Sequence, residues 1–534
     1  MTAVPTTLQH DRLTAEIMGG TEGAVGRPAA PRPQRRTAAV ALAGAAIAGT
    51  LAESAVRAGP PGAGLTLAAL ALLLTLALAR GLQHPASPRL AAAYALPVLF
   101  ALLLAVRASG VLVALNVVAL LVALALLAHA LAPDRRWPLA WARPLTFLLA
   151  LARTATGAMF GAPRLALEGY AGGGRALPVV AAVLRASLLA APVLGLFTLL
   201  LASADPVFGQ GVERLLDVDV SAIAWHSAVA AALAWGAAGY LRTALLPRQP
   251  WQLSAPSLPR LTTVDVIVLL GALDALFAAF VVVQLRYLFG GAAVVSATAG
   301  LTFADYARRG FFELVVVTAL AVPLLLTTHG ALARTGAPRR AFRWLAAPMV
   351  ALLLVVVASA LRRMQLYQAE FGLTLARVVA SAFIVWVAVV LVLFAATVLR
   401  ARARWFAWRS LLSGGIALLA LNVANPEALV VRTNVRRAAE GRALDVDYLT
   451  RLSADAAPAL AAALPALGER EGCPVRAALA RAMRPARASD GHAWQTWSLA
   501  NYRARALARV VARHGSAGPC APQPRPTSGD GAGE

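Results

Sequence analysis

Asp274 is the side chain with the clearest chemical potential in this sequence. It is the eleventh of twenty-two positions in the apolar run Val264 to Leu285. A charge at the centre of a membrane-length run costs at least about 2.5–3.5 kcal/mol on insertion scales, so an intramembrane carboxylate is a functional candidate, here as a proton or cation carrier. The competing reading is a protonated side chain hydrogen-bonded inside a helix bundle, with Asn116 or His226 as neighbours. Glu53 precedes Arg57 by four residues, the spacing of a same-face structural pair.

Several other chemistries are excluded by composition. The chain has 49 Lys plus Arg residues and all of them are arginine. A P-loop lysine, a Schiff-base lysine and the base of a Ser-Lys dyad are therefore absent. The seven histidines are scattered with no pair at ligand spacing, so neither a metal site nor a metal cofactor is expected. No nucleophile elbow G-x-S-x-G, no G-x-G-x-x-G and no H-E-x-x-H occurs, so no catalytic residue is assigned. Asp445 and Asp447 are two apart, which does not place them on one helix face, and they read as a helix start. What remains as ligand or surface candidates are Asp205, Arg286, Tyr287, Tyr306, Arg308, Arg309, Glu313 and Tyr367, in polar, aromatic-rich segments between apolar runs.

The elements that must position these residues are membrane helices. Hydrophobic residues make up 59% of the 534 positions and charged residues 14%, against roughly 45–50% and 25% in soluble domains. A span needs about 20 apolar residues. Eleven runs qualify: Ala38 to Val56, Ala63 to Ala79, Leu90 to Val106, Val111 to Leu131, Ala186 to Ala202, Ala222 to Tyr240, Val264 to Leu285, Phe311 to Thr328, Leu345 to Leu361, Val378 to Leu399, and Phe406 to Ala424. The expected fold is an all-α polytopic helical bundle over 37–424, with ten to twelve spans allowed. The run near 145–162 holds Arg153 and reads as an interfacial helix, with a twelfth span as the alternative.

The charge of +24 first suggests a nucleic-acid partner, but the arginines sit in small groups between apolar runs and form no continuous basic footprint. Counted over alternate connections they divide 24 inside to 9 outside for a cytoplasmic N-terminus. The lipid bilayer is thus the expected partner. Residues 1–36 are expected to be a disordered cytoplasmic arm, 425–512 a helical extracytoplasmic tail domain with a continuous helix over Tyr448 to Leu467, and 513–534 a disordered end. The two cysteines, Cys473 and Cys520, both fall in that tail. An exterior compartment would permit them to bridge; the alternative is two free thiols.

Several motifs recur in order: Ser203-Ala204-Asp205-Pro206, Gln284-Leu285-Arg286-Tyr287, Tyr306-Ala307-Arg308-Arg309 with Glu313, Arg363-Met364-Gln365-Leu366-Tyr367, Asn425-Pro426 with Asn434, Leu444-Asp445-Val446-Asp447-Tyr448-Leu449, and Trp494-Gln495-Thr496-Trp497. Together they resemble the bacterial integral-membrane family catalogued as domain of unknown function 4173. The resemblance implies a multipass protein of the bacterial cytoplasmic membrane and no defined activity. In the counted orientation these segments share the outer side, so the outer loops and the tail are expected to form one surface. Three functions follow: a non-enzymatic sensing, scaffolding or regulatory protein with an envelope protein partner, a transporter or channel using Asp274, and a membrane enzyme acting on envelope or lipid-linked substrates.

Overall fold

The computed structural model describes residues 32–83, 88–131, 144–170, 220–246, 262–289, 311–335, 339–483 and 494–514. Every regular element among them is helical. Among the described residues eight helices are long and apolar enough to cross a membrane, and the apolar stretches Ala91–Val106, Phe147–Phe160 and Val316–Leu332 are shorter. Of the eleven expected spans, eight thus appear at full length, the third and eighth appear as these shorter stretches, and Ala186 to Ala202 lies outside the described residues.

A first group comprises α1 (Arg32–Ala58), α2 (Ala63–Gly81), α3 (Pro88–Val106), α4 (Gly110–Leu131), α5 (Pro144–Phe160), α6 (Ala162–Tyr170) and α7 (Val220–Leu245). Its core is built from Leu76, Leu104, Leu127, Leu165 and Leu241. Small residues bring the axes close, as expected where lipid removes the hydrophobic drive between helices. A Cβ added at Gly49 of α1 would lie 2.5 Å from the backbone nitrogen of Ala234 on α7. Glu53 of α1 meets His226 of α7 further along, so the two helices run antiparallel.

A second group comprises α8 (Thr263–Phe289), α9 (Phe311–Thr335), α10 (Arg339–Phe371), α11 (Leu375–Thr397) and α12 (Phe406–Ala424). Leu270, Leu325, Leu353, Leu391 and Phe394 form its separate core. Helix α12 joins the groups. Its Phe406 belongs to the second core, while Leu418 and Leu419 pack on the first, and Trp408 and Leu411 pack with Leu126 and Phe147.

The helix expected near 145–162 is α5. It packs Phe147 beside Leu126 and Trp408, sets Gly157 against Thr243, and accepts at its Met159 carbonyl from the Trp235 indole of α7 at 2.7 Å.

The tail folds into α13 (Pro426–Ala439), α14 (Val446–Thr450), α15 (Ala457–Ala463), α16 (Glu469–Met483) and α17 (Leu499–His514) around Val430, Val431, Leu460, Val475, Leu479 and Ala504. The continuous helix expected over Tyr448 to Leu467 is instead cut into short pieces. Asp445 caps α14 by accepting from the Tyr448 amide at 2.9 Å, and Ser453, Pro458 and Pro465 start new turns, because side-chain oxygens and proline compete with helix propagation.

Candidate functional site at the junction of bundle and tail

Where α12 ends, the sequence Asn425-Pro426 redirects the chain. Asn425 adopts a left-handed conformation at φ 50°, which stops α12, and Pro426 occupies the first turn of α13, where a missing N–H costs nothing. The Asn425 side chain then accepts from the Ala428 amide and donates to the Asp455 carbonyl at 2.8 Å. One residue therefore ends a membrane-length helix, starts the tail and ties it to its own later turn.

Asp455 lies at the centre of the junction, 3% exposed. Its carboxylate accepts from the guanidinium of Arg107 at 3.0 Å and from the backbone amides of Ala108 and Ser109, each at 2.8 Å. Those three donors belong to the short connection between α3 and α4. A buried carboxylate demands this saturation, since an unpaired one would lose its hydration with no return. Arg107 also donates to the Asn422 carbonyl of α12. Two turns into α4, Asn116 and Asn422 exchange side-chain hydrogen bonds at 3.0 and 2.9 Å. A second buried carboxylate, Glu427, accepts from the Ser453 amide at 2.8 Å and its hydroxyl at 2.6 Å. Burial pushes the Glu427 carboxyl above its ordinary range and the charge of Asp455 adds to this, while the Ser453 and Ser109 hydroxyls pull it back.

Two further contacts fasten the tail. At the α1–α2 turn, the Ala63 and Gly64 amides donate to the carbonyls of Trp497 and Gln495 at 2.8 and 2.9 Å, so tail carbonyls serve the unpaired first turn of α2. At the α10–α11 turn, the Asn434 side chain accepts from the Leu373 amide and donates to the Leu373 carbonyl, both at 2.8 Å. The Tyr448 hydroxyl accepts from the Leu375 amide, and Arg437 donates to the carbonyls of Ala369 and Glu370. Helix α10 reaches these partners because it runs on to Phe371, ten residues past the end of the expected span at Leu361. The tail therefore holds a connection from each helix group, and all its holdings lie at one end of the bundle.

Of the residues expected to form a site, Tyr367 is beside this junction, with the Arg377 guanidinium 4.2 Å from its ring centroid. Arg286 and Tyr287 fall in the last turn of α8, and Glu313 in the first turn of α9. Asp205, Tyr306, Arg308 and Arg309 lie outside the described residues. Asp274 stands in α8, and neither carboxylate oxygen makes a hydrogen bond among the described residues. The neighbours expected for it are engaged elsewhere: Asn116 pairs with Asn422, and His226 Nδ1 lies 2.7 Å from Glu53 Oε1. Glu53 also keeps its expected partner, Arg57, at 3.8 Å. Cys473 is disulfide-bonded, while Cys520 lies outside the described residues. Groups of three or more metal-ligating side chains are absent among the described residues.

Sequence reasoning passed over Arg107, Glu427, Ser453 and Asp455. Asn116 and Asn422 carried the available signal, as the single side-chain amides of two membrane-length helices. Such residues pair across membrane helices.

Residues 94–463 match the model of a domain of unknown function, DUF4153. The motifs quoted above resemble family 4173, and the match is to this other uncharacterised family. The matched region contains Arg107, Asn116, Asn422, Glu427 and Asp455, and stops short of the Gln495 and Trp497 contacts. No curated protein and no solved structure matches the chain.

Proposed function

Because the chain belongs to the DUF4153 family, whose function is unknown, we propose a role from its own geometry: an integral membrane protein that senses, scaffolds or regulates through a helical tail domain docked across both helix groups. The carrying observation is the buried Arg107–Asp455 pair, which fixes the tail to the bundle while Asn434 fixes it to the second group. In this reading the tail end of the bundle is extracytoplasmic, the N-terminus is cytoplasmic, the membrane is the bacterial cytoplasmic membrane crossed several times, and an envelope protein binds the tail face. The narrower kinship with family 4173 and the Cys473–Cys520 bridge belong to the same proposal. An oxidising exterior is where such a bridge persists.

A second reading, transport of a proton or cation, is favoured by Asp274, whose carboxylate has no hydrogen-bond partner among the described residues of a membrane-length helix. Complementation of a strain lacking the gene separates the two. The tail reading expects Asp455→Ala to fail while Asp274→Asn succeeds, with both proteins inserted at wild-type levels. The reverse pattern selects transport. A C-terminal reporter active only in the cytoplasm would reject the exterior tail, and alkylation of both cysteines in unreduced protein would reject the bridge.

A further inference from the structure

The first helix group encloses a half-open cavity of about 590 Å³ between α1, α2, α4, α5 and α7. Ala48, Leu72, Val122, Ala155, Gly236 and Tyr240 line it, one or more from each helix. Its volume falls within the roughly 300–1,000 Å³ of small-molecule sites. Its chemistry is narrower than its size. Thr154 and Tyr240 bring the hydroxyls among the described lining residues, and both are spent on backbone: Thr154 donates to Ala150 at 2.9 Å and Tyr240 donates to Leu124 at 3.1 Å. Among the described lining residues no side-chain polar group is left to hold a sugar, a nucleotide or an ion. Water is equally unfavoured, since a water needs two to four polar partners.

An apolar cavity of about 150 Å³ stays dry and takes up benzene. One nearly four times larger, left empty, would cost an amount comparable with the net stability of a domain, because the cost rises with void volume. Something apolar therefore fills it. Ala48, Leu72, Val122 and Gly236 lie in the interiors of helices long and apolar enough to cross a membrane, so the medium around these helices is hydrocarbon. At Gly236, which lines the cavity, a built Cβ meets no atom within 4 Å, so a larger side chain there has room to fill the space.

We infer that this cavity is a binding site for an acyl chain of a membrane lipid, held among α1, α2, α4, α5 and α7. The inference is independent of the tail reading. Its test uses the full chain in phospholipid nanodiscs containing phosphatidylglycerol with a diazirine in one acyl chain. After irradiation, labelled peptides from α5 and α7 are compared with those from α8. Labelling is expected to concentrate on the cavity helices and to fall at least fivefold in Gly236→Leu, which fills the space. Gly271→Leu on α8, where an added Cβ also meets nothing, is expected to leave it unchanged. Ala155→Leu gives a second filling variant should Gly236→Leu fail to fold. Even labelling around the whole perimeter, or labelling unchanged by both filling variants, would overturn the site. So would protection of the cavity by residues 171–219 of the chain itself, detected as crosslinks to that segment in place of lipid.

Discussion

Arg107 and Asp455 stand 348 positions apart and meet in a salt bridge of 3.0 Å, with side chains 15% and 2% exposed. The pair is not an isolated ion pair. The two amides that follow Arg107 aim at the second oxygen of the same carboxylate, so a three-residue turn between membrane helices becomes a receptor for one aspartate. Charge-assisted hydrogen bonds of this kind are about twice as strong as neutral ones. They also fix direction, which an apolar contact would not.

Removing one partner is therefore expected to be worse than removing both. Asp455→Ala leaves the Arg107 guanidinium without its carboxylate and should weaken tail docking by about 3–5 kcal/mol, whereas Arg107→Met with Asp455→Leu should recover part of that loss, the Ala108 and Ser109 amides still lacking their acceptor. Amide exchange of α15 and α17 in nanodiscs measures it. Equal losses in the single and double variants would show that the pair does not couple the tail to the bundle.

Two glycines in left-handed conformations separate backbone strain from packing. Gly441 has φ +87° with open space around its Cβ position, so Gly441→Ala should cost only the left-handed penalty of about 1–2 kcal/mol. Gly372 has φ +75°, and a Cβ there would lie 2.7 Å from Asn434 Oδ1 and collide with the Arg437 guanidinium. Gly372→Ala should cost clearly more and should release α13 from the α10–α11 turn, seen as faster exchange at Leu373 and Leu375. Indistinguishable stabilities would remove the Asn434 contact from the docking argument.

Acidity should tighten the tail's hold. The folded-state pKa of Glu427 is raised above its ordinary 4.5, chiefly by burial. Between the ordinary and the raised value the folded protein therefore binds more protons than the unfolded chain, and docking stability falls as pH rises through that window. Lowering the pH from neutral towards 4.5 should raise the protection factors in α13 and the Ser453 turn, measured against the intrinsic exchange rate at each pH, and Glu427→Gln should flatten that profile. A profile unchanged by Glu427→Gln would assign the dependence to other groups.

The bundle was legible because apolar runs of membrane length admit few structures, and Asn425-Pro426 marked the helix boundary through two residues with strong backbone preferences. The junction was not. Its partners come from a connection at 107–109, a helix end at 422 and a tail turn at 455, and no period or spacing links such distant positions. Arg107 looked like one more topology arginine because the count that assigns sidedness ignores what each guanidinium touches. The break-up of Tyr448 to Leu467 was readable in principle from Ser453, Pro458 and Pro465, but the alanine-rich composition between them hid it.

Asp274 is where stability and function pull apart. If its carboxyl served only to hydrogen-bond the bundle together, replacing it with an apolar residue would destabilise the protein. Both oxygens lack such a bond among the described residues, so Asp274→Leu should instead favour membrane insertion of α8 by about 2.5–3.5 kcal/mol and raise thermal stability in detergent. Residues kept at a stability cost are the usual mark of function. Proteoliposomes carrying a pH-sensitive dye then read the other side of the trade. A proton flux present in the wild type and lost in both Asp274→Leu and Asp274→Asn would give the carboxylate its task. A destabilised Asp274→Leu would show that the side chain has a structural partner, and a flux that persists in both variants would remove it from the transport reading.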